Sequence, residues 1–167
     1  MLADLDTRIL YAMRTRGHGR VPETIARVLG KVGEHGAIWL ALGALFALLD
    51  PSQRWEWLFA GLLGPVGIVL NFLVKLLVRR PRPEIPGYPP IGGAPSSLSF
   101  PSAHATSSFA AATAMTRVDE TAALLFILAF AIALCRPYLG MHYPSDVLAG
   151  ALLGTVLGLI WPLGLVS

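Results

Sequence analysis

Three short stretches of this 167-residue chain hold residue types that can act on a charged group. In "KLLVRRPRP" (75–83), Lys75 stands near the end of an apolar run and Arg82 follows about two helical turns later. In "FPSAHATS" (100–107), Ser102 and His104 stand where another apolar run begins, and "CRPYLGMHYPSD" (135–146) contains Arg136, His142 and Asp146. Lys75, Arg82 and Arg136, converging without acidic partners, would clamp a multiply charged anion, because guanidinium matches phosphate oxygens in a bidentate way. A helix starting near Ser102 offers that anion the unpaired amides of Ala103 and His104 and the positive end of its dipole. His142 and Asp146 are four positions apart, so at a helix start the carboxylate can hold one ring nitrogen and leave the other as nucleophile or base. His104 is a second imidazole, suited to protonating a leaving oxygen. Anion clamp, oriented nucleophile and general acid together describe phosphoryl transfer through a phosphohistidine.

The elements that must position these groups are membrane helices. The chain is 54% apolar and 14% charged, with a mean hydropathy of +0.63, whereas soluble domains carry about 25% charged residues. Residues 57–74 and 147–166 contain no charge and are long enough to cross a bilayer. Residues 31–50 bracket a third apolar segment, and 100–116 and 121–135 read as a shorter, closely connected pair. The reading is an all-α integral membrane bundle of about five transmembrane helices in one domain, 1–167. Residues 1–30 precede the bundle as amphipathic helices: Leu2, Leu5, Ile9 and Met13, then Val21, Ile25, Val28 and Val32, fall at helical spacing among many basic residues. They are expected to lie on the membrane surface. Gly150, Gly154 and Gly158 make a small-residue stripe for close helix packing. Connections are short except 79–99, whose six prolines predict a semi-rigid loop over the site.

With five spans, alternation puts the end of the second, the start of the third, the end of the fourth and the start of the fifth on one face. The three stretches therefore meet at one mouth. His18 and His35 read as ordinary surface or capping residues, Arg79 and Arg80 as snorkelling side chains, and Tyr138 and Tyr143 as interfacial aromatics. A single cysteine, Cys135, excludes an internal disulfide and a cysteine-based zinc site.

The stretches resemble the signature of the type 2 phosphatidic acid phosphatase (PAP2) superfamily, which reads K-x6-R-P, then P-S-G-H, then S-R-x5-H-x3-D. Lys75 with Arg82 and Pro83 matches the first; 101–104 matches the second except for Ala103 at the glycine; Arg136, His142 and Asp146 match the third except for Cys135 at the serine. The spacing from Lys75 selects Arg82 rather than Arg80, though Arg79 or Arg80 could still assist it. The resemblance implies a lipid phosphate phosphatase with His142 as nucleophile, Asp146 as its orienting partner and His104 as acid and then base. It implies that Lys75, Arg82, Ser102, the Ala103 amide and Arg136 hold the phosphate, with no metal and no cofactor. Ala103 keeps its backbone N–H, so anion binding survives wherever the site needs no positive φ. Cys135 is a weaker donor than serine and is left outside the site. A vanadate-dependent haloperoxidase would share the anion pocket, and a non-catalytic headgroup binder would not need the His–Asp pair; both are remote readings.

All 13 Lys/Arg fall on the site's side except Arg54 and Arg117. Even with Lys75, Arg79, Arg82 and Arg136 set aside for chemistry, the excess places the active face in the cytoplasm, at the inner membrane. The expected partners are the bilayer and a lipid phosphate; no nucleic acid is implied, and nothing in the sequence speaks to oligomeric state. A cytoplasmic site favours a polyprenyl-linked phosphoribose phosphate or phosphatidylglycerol phosphate. Undecaprenyl diphosphate and phosphatidic acid are the alternatives.

Overall fold

A computed structural model describes residues 2–93 and 96–166; Ala94 and the loop proline Pro95 lie outside the described residues, as do Met1 and Ser167. The described chain is helical, with no strand: α1 (Leu2–Thr15), α2 (Arg20–Val32), α3 (Ala37–Leu49), α4 (Arg54–Val78), α5 (Ala103–Val118), α6 (Leu125–Tyr138) and α7 (Pro144–Ile160). Three helical stretches are long and apolar enough to cross a membrane, Pro51–Val78, Glu120–Tyr138 and Pro144–Leu165. A fourth forms if α2 and α3, bent by 50° at the break between them, make one span. The protein is a helical membrane protein.

The centre of the bundle is α5. Its 16 residues give a rise of about 24 Å, short of a ~30 Å hydrocarbon core. Every residue from Ala105 to Met115 is buried, most of them alanine, serine or threonine. Small side chains let neighbouring backbones come close, which is how membrane helices pack when lipid offers no hydrophobic gain. The glycine stripe of α7 makes the closest approach. A Cβ on Gly154 would stand 2.3 Å from the Thr106 carbonyl oxygen, and one on Gly150 2.6 Å from that of Ser102. On the α4 side, the buried Asn71 donates to the Pro101 carbonyl (3.2 Å) and to Thr106 Oγ1 (2.9 Å). The start of α5 is thus pinned between α4 and α7.

The N-terminal helices pack on this bundle. Ala26 and Gly30 of α2 are buried against Cys135 and Leu139 near the end of α6, and Leu10 of α1 is buried. The apolar residues Leu5, Ile9, Val21, Ile25 and Val28 point outward and stay exposed. That arrangement suits a lipid surround, with small and polar positions turned toward protein and the apolar stripe turned away from it.

Candidate active site

The end of α4, the start of α5, the end of α6 and the start of α7 meet at one mouth. His142 sits in the connection between α6 and α7, 2% exposed. Arg82 Nη1 is 3.2 Å from its Nε2 and also donates to the Met141 carbonyl at 2.7 Å. A guanidinium only donates, so Nε2 presents its lone pair there and the ring proton of the neutral imidazole resides on Nδ1. Behind it, Asp146 Oδ2 lies 3.5 Å from Nδ1, the expected partner at a distance long for a hydrogen bond. The same oxygen accepts the Tyr143 amide at 2.9 Å, closing the capping box of α7. Burial pushes the His142 ring down to about 4; Asp146 opposes this, while Arg82 and Arg136 add to it. The ring is therefore neutral at pH 7.

The expected phosphate-binding cations are present and unpaired by any carboxylate among the described residues. Lys75 is buried at the end of α4, where Nζ donates to the Leu98 carbonyl. Arg82 donates through Nε to the Ser97 carbonyl (2.8 Å) and through Nη2 to Ser97 Oγ (3.0 Å). Burial and the neighbouring Arg136 charge bring Arg82 down to about 10, so it stays charged at neutral pH. Arg136 is 5% exposed, and its Nε has no hydrogen-bond partner. Ser102 caps α5, with its Oγ 3.5 Å from the Ala105 amide, and its own N–H donates to the Asp146 carbonyl at 2.9 Å. That amide is committed to α7; Ala103 is the first helical residue after it. Ala103 is absent from the positive-φ residues, so alanine stands here without strain. Cys135 donates to the Ile132 carbonyl, packs with Ala26, Leu139 and Met141, and its side chain also interacts with that of Arg136.

His104 Nε2 is 2.9 Å from the carbonyl oxygen of Gly30 in α2. A carbonyl only accepts, so Nε2 holds a proton and Nδ1 is the nitrogen left for further chemistry. The crossing is close, since a Cβ on Gly30 would lie 3.1 Å from Arg136 Nη1. The two imidazoles are thus fixed by opposite ends of the chain, His142 beside α7 and His104 on α2.

Sequence reasoning missed three contributors. Arg80, read as a snorkelling side chain, donates to Asp146 Oδ1 (2.8 Å), Asp6 Oδ2 (2.7 Å) and Ser145 Oγ (2.7 Å). Its guanidinium also lies 3.9 Å over the Tyr143 ring. Asp6 accepts from the Ser145 amide at 2.9 Å and from its hydroxyl at 2.5 Å. Burial would raise the Asp6 carboxyl, but Ser145 and Arg80 hold it below the usual range. The third is the Gly30 carbonyl. Only the second R-P pair left a trace in the sequence, since Arg80-Pro81 repeats Arg82-Pro83. Arg79, by contrast, is the left-handed C-cap of α4, with its amide on the Lys75 carbonyl and its side chain on that of Leu76. His18 and His35 stay with structural or surface contacts, to Glu23 and Met13 and to Glu34.

The described parts of the loop, 79–93 and 96–99, lie over this mouth and are tied to both sides. Ile91 N donates to the Leu139 carbonyl (2.9 Å) and Arg14 to that of Pro89 (2.7 Å), while Ser97 and Leu98 hold the two cations.

A family model described as PAP2 superfamily matches residues 54–165. The chain belongs to the PAP2 superfamily. Among characterised relatives, it is 47% identical over 135 residues to a decaprenylphosphoryl-5-phosphoribose phosphatase of Mycobacterium tuberculosis, covering 81% of this chain and 76% of that one. The Mycolicibacterium smegmatis protein of the same name is 42% identical over 127 residues, 76% of this chain and 70% of that one. Undecaprenyl-diphosphatase BcrC of Bacillus subtilis is 31% identical over 125 residues, covering 73% and 64%. The crystal structure of Aquifex aeolicus LpxE shares the fold with a TM-score of 0.74 at 24% identity, over 93% of each chain. This PAP2 protein is accordingly a phosphatase, a hydrolase of phosphoric esters. The family match begins at α4, so Asp6 and Gly30 lie outside it.

Proposed function

We propose that this PAP2 phosphatase removes a terminal phosphate from a polyprenyl-linked phosphoribose lipid, without a metal ion, through a phosphohistidine on His142. The observation that carries this reading is the neutral His142 ring, its Nε2 facing Arg82 at 3.2 Å and its Nδ1 turned to Asp146. The names of the 47% and 42% identical relatives support the substrate class. Phosphatidylglycerol phosphate is the other substrate a cytoplasmic site would meet.

His104, with Nε2–H held by Gly30, takes a second proton on Nδ1 from the phosphate monoanion as the substrate binds. His142 Nε2 then attacks phosphorus as the bond to the leaving oxygen breaks, and His104 Nδ1 gives that oxygen the proton. Lys75, Arg82 and Arg136, with Ser102 and the Ala103 amide, neutralise the phosphoryl oxygens. Asp146, braced by Arg80 and Asp6, stabilises the positive ring. His104, now a base, takes a proton from water, which attacks phosphorus and frees inorganic phosphate and the Nε2 lone pair. Three fixed cations supply the charge neutralisation that metal ions supply in other phosphoryl-transfer enzymes.

The chain crosses the inner membrane five times, through α3 to α7, with its active face in the cytoplasm. The lopsided distribution of Lys and Arg supports that orientation. A cysteine placed at Gly87 in the 79–99 loop should resist an impermeant thiol reagent in intact cells, and labelling there would reverse the orientation. The chemical test is phosphate release from lipid phosphates in EDTA by detergent-purified protein. Release should persist in EDTA, vanish in His142→Ala and fall strongly in His104→Ala. Full activity in the His142 variant would refute the nucleophile.

A further inference from the structure

Helix α2 presents three faces: Val21, Ile25 and Val28 outward, Ala26 and Gly30 against α6, and Arg27 with Lys31 toward the site. These two cations line a cavity of about 510 Å³ that also reaches Arg136 and His104. Its far wall is the loop turn at Gly92, where a Cβ would lie 3.9 Å from Arg27 Cδ. Neither Arg27 nor Lys31 has an ion-pair partner among the described residues. The one carboxylate on the cavity wall is Glu34, which pairs loosely with His35 at 3.8 Å. The cavity holds a second feature that asks for an anion: the nine-tenths-buried Arg136, whose Nε has no partner.

The position of this cavity fixes which part of a substrate enters it. His104 protonates the leaving oxygen, so the cavity that His104 lines lies on the leaving-group side of the scissile bond. A phosphate seated at His142, Lys75, Arg82 and Arg136 meets this cavity only at its Arg136 and His104 end, leaving the Arg27 and Lys31 end to whatever follows that oxygen. Arg27 and Lys31 stand there, one helical turn apart on α2.

We infer that this cavity is a second anion subsite, built by Arg27 and Lys31 for a phosphoryl group carried on the leaving group itself. The preferred substrates are lipids with two phosphoryl groups in the headgroup, either a diphosphate or a sugar phosphate joined to the lipid through a phosphodiester. Phosphatidic acid leaves an uncharged diacylglycerol and gains nothing from these cations. The inference rests on the phosphatase reading and on His104 as its acid.

The test compares wild type with Arg27→Gln, Lys31→Gln and the double variant on three substrates in detergent at fixed ionic strength. They are a polyprenylphosphoryl ribose 5-phosphate, a polyprenyl diphosphate and phosphatidic acid. The double variant should lose about tenfold or more in kcat/KM on one or both two-phosphate lipids, mostly through KM, and less than twofold on phosphatidic acid. Which of the two falls identifies the source of the second phosphate. Equal losses on all three substrates, or no loss on any, would overturn the subsite while leaving the phosphatase standing. No release from any substrate by wild type would instead overturn the phosphatase reading beneath it.

Discussion

Asp6 in the first helix and Asp146 in the last share one guanidinium, that of Arg80, at 2.7 and 2.8 Å. Asp6 also holds both the amide and the hydroxyl of Ser145, the residue beside Asp146. The carboxylate that faces His142 Nδ1 is therefore braced from outside the part of the chain that the family model covers. Asp6→Asn keeps the shape but weakens both charge-assisted contacts, each worth more than a neutral hydrogen bond. We expect kcat to fall about tenfold, the cost of roughly 1.4 kcal/mol in the transition state. KM should stay within about twofold, because Asp6 does not touch the phosphate cations. Steady-state kinetics of Asp6→Asn and Asp6→Ala check this; a change confined to thermal stability, with kcat intact, would reduce Asp6 to a structural tie.

The His142 ring gives a pH signature with a definite sign. Its folded value is about 4, pushed down first by burial, while an imidazole in the unfolded chain titrates near 6.5. Below about 6.5 the unfolded chain takes up a proton that the folded site refuses until about 4. Stability contributed by the neutral ring is thus complete above pH 6.5 and is lost as pH falls through that window, at up to about 1.4 kcal/mol per pH unit. Thermal unfolding in detergent from pH 7 to pH 5 should show a steeper loss for wild type than for His142→Asn. Parallel curves would mean that the ring is charged in the folded protein.

What the sequence made legible and what it hid divide along contact range. Lys75, Arg82, Ser102, His104, Arg136, His142 and Asp146 sit in short stretches, and alternation of spans is enough to bring those stretches together. The glycine stripe at 150, 154 and 158 was readable for the same reason, since its period lies within one helix. Asp6 and Gly30 were not, because their partners lie far along the chain: Ser145 is 139 positions from Asp6, and His104 is 74 from Gly30. Nothing in an amphipathic pattern says which polar residue of a helix will be buried. Leu5, Ile9, Val21, Ile25 and Val28 face outward, so it was the other sides of α1 and α2 that met the site. Arg80 was hidden by its neighbour, because the motif spacing assigns one arginine and leaves the other looking like a helix-end side chain.

The stripe makes a packing prediction. Gly154→Ala puts a methyl 2.3 Å from the Thr106 carbonyl oxygen and 2.9 Å from the Ala110 amide nitrogen, both of them backbone atoms that cannot swing aside. Separation of α7 from α5 would also stretch the 2.9 Å bond from Ser102 N to the Asp146 carbonyl, which joins the two halves of the site. Overpacking of this kind costs about 1–3 kcal/mol. Lower detergent Tm together with reduced kcat is expected; unchanged values of both would show that the helices can slide apart freely.

Arg82 is tied through three nitrogens, Nε and Nη2 to Ser97 and Nη1 to Met141 and His142. Lysine keeps the charge but offers one ammonium where the guanidinium offers a planar fork. Arg82→Lys should therefore lose about a hundredfold in kcat/KM, on the order of 2.7 kcal/mol, and shed the Ser97 contacts that hold the loop over the mouth. Loop opening in the variant would appear as faster proteolysis or hydrogen exchange at residues 96–98. A variant within a few-fold of wild type would mean that Lys75 and Arg136 suffice for the phosphate.

Ala103 is one of two places, with Cys135, where this chain departs from the family signature, and its geometry decides what reversion does. Alanine is already helical here, in the first turn of α5, so glycine would free no strained backbone. It would add conformational freedom to the unfolded chain and cost about 0.5–1 kcal/mol of stability. The backbone amide is the same with either residue. Ala103→Gly should therefore lower Tm by a few degrees and leave kcat/KM within about twofold. A large gain in activity would show that the alanine methyl narrows the site, and that this enzyme trades rate for a stiffer start to its central helix.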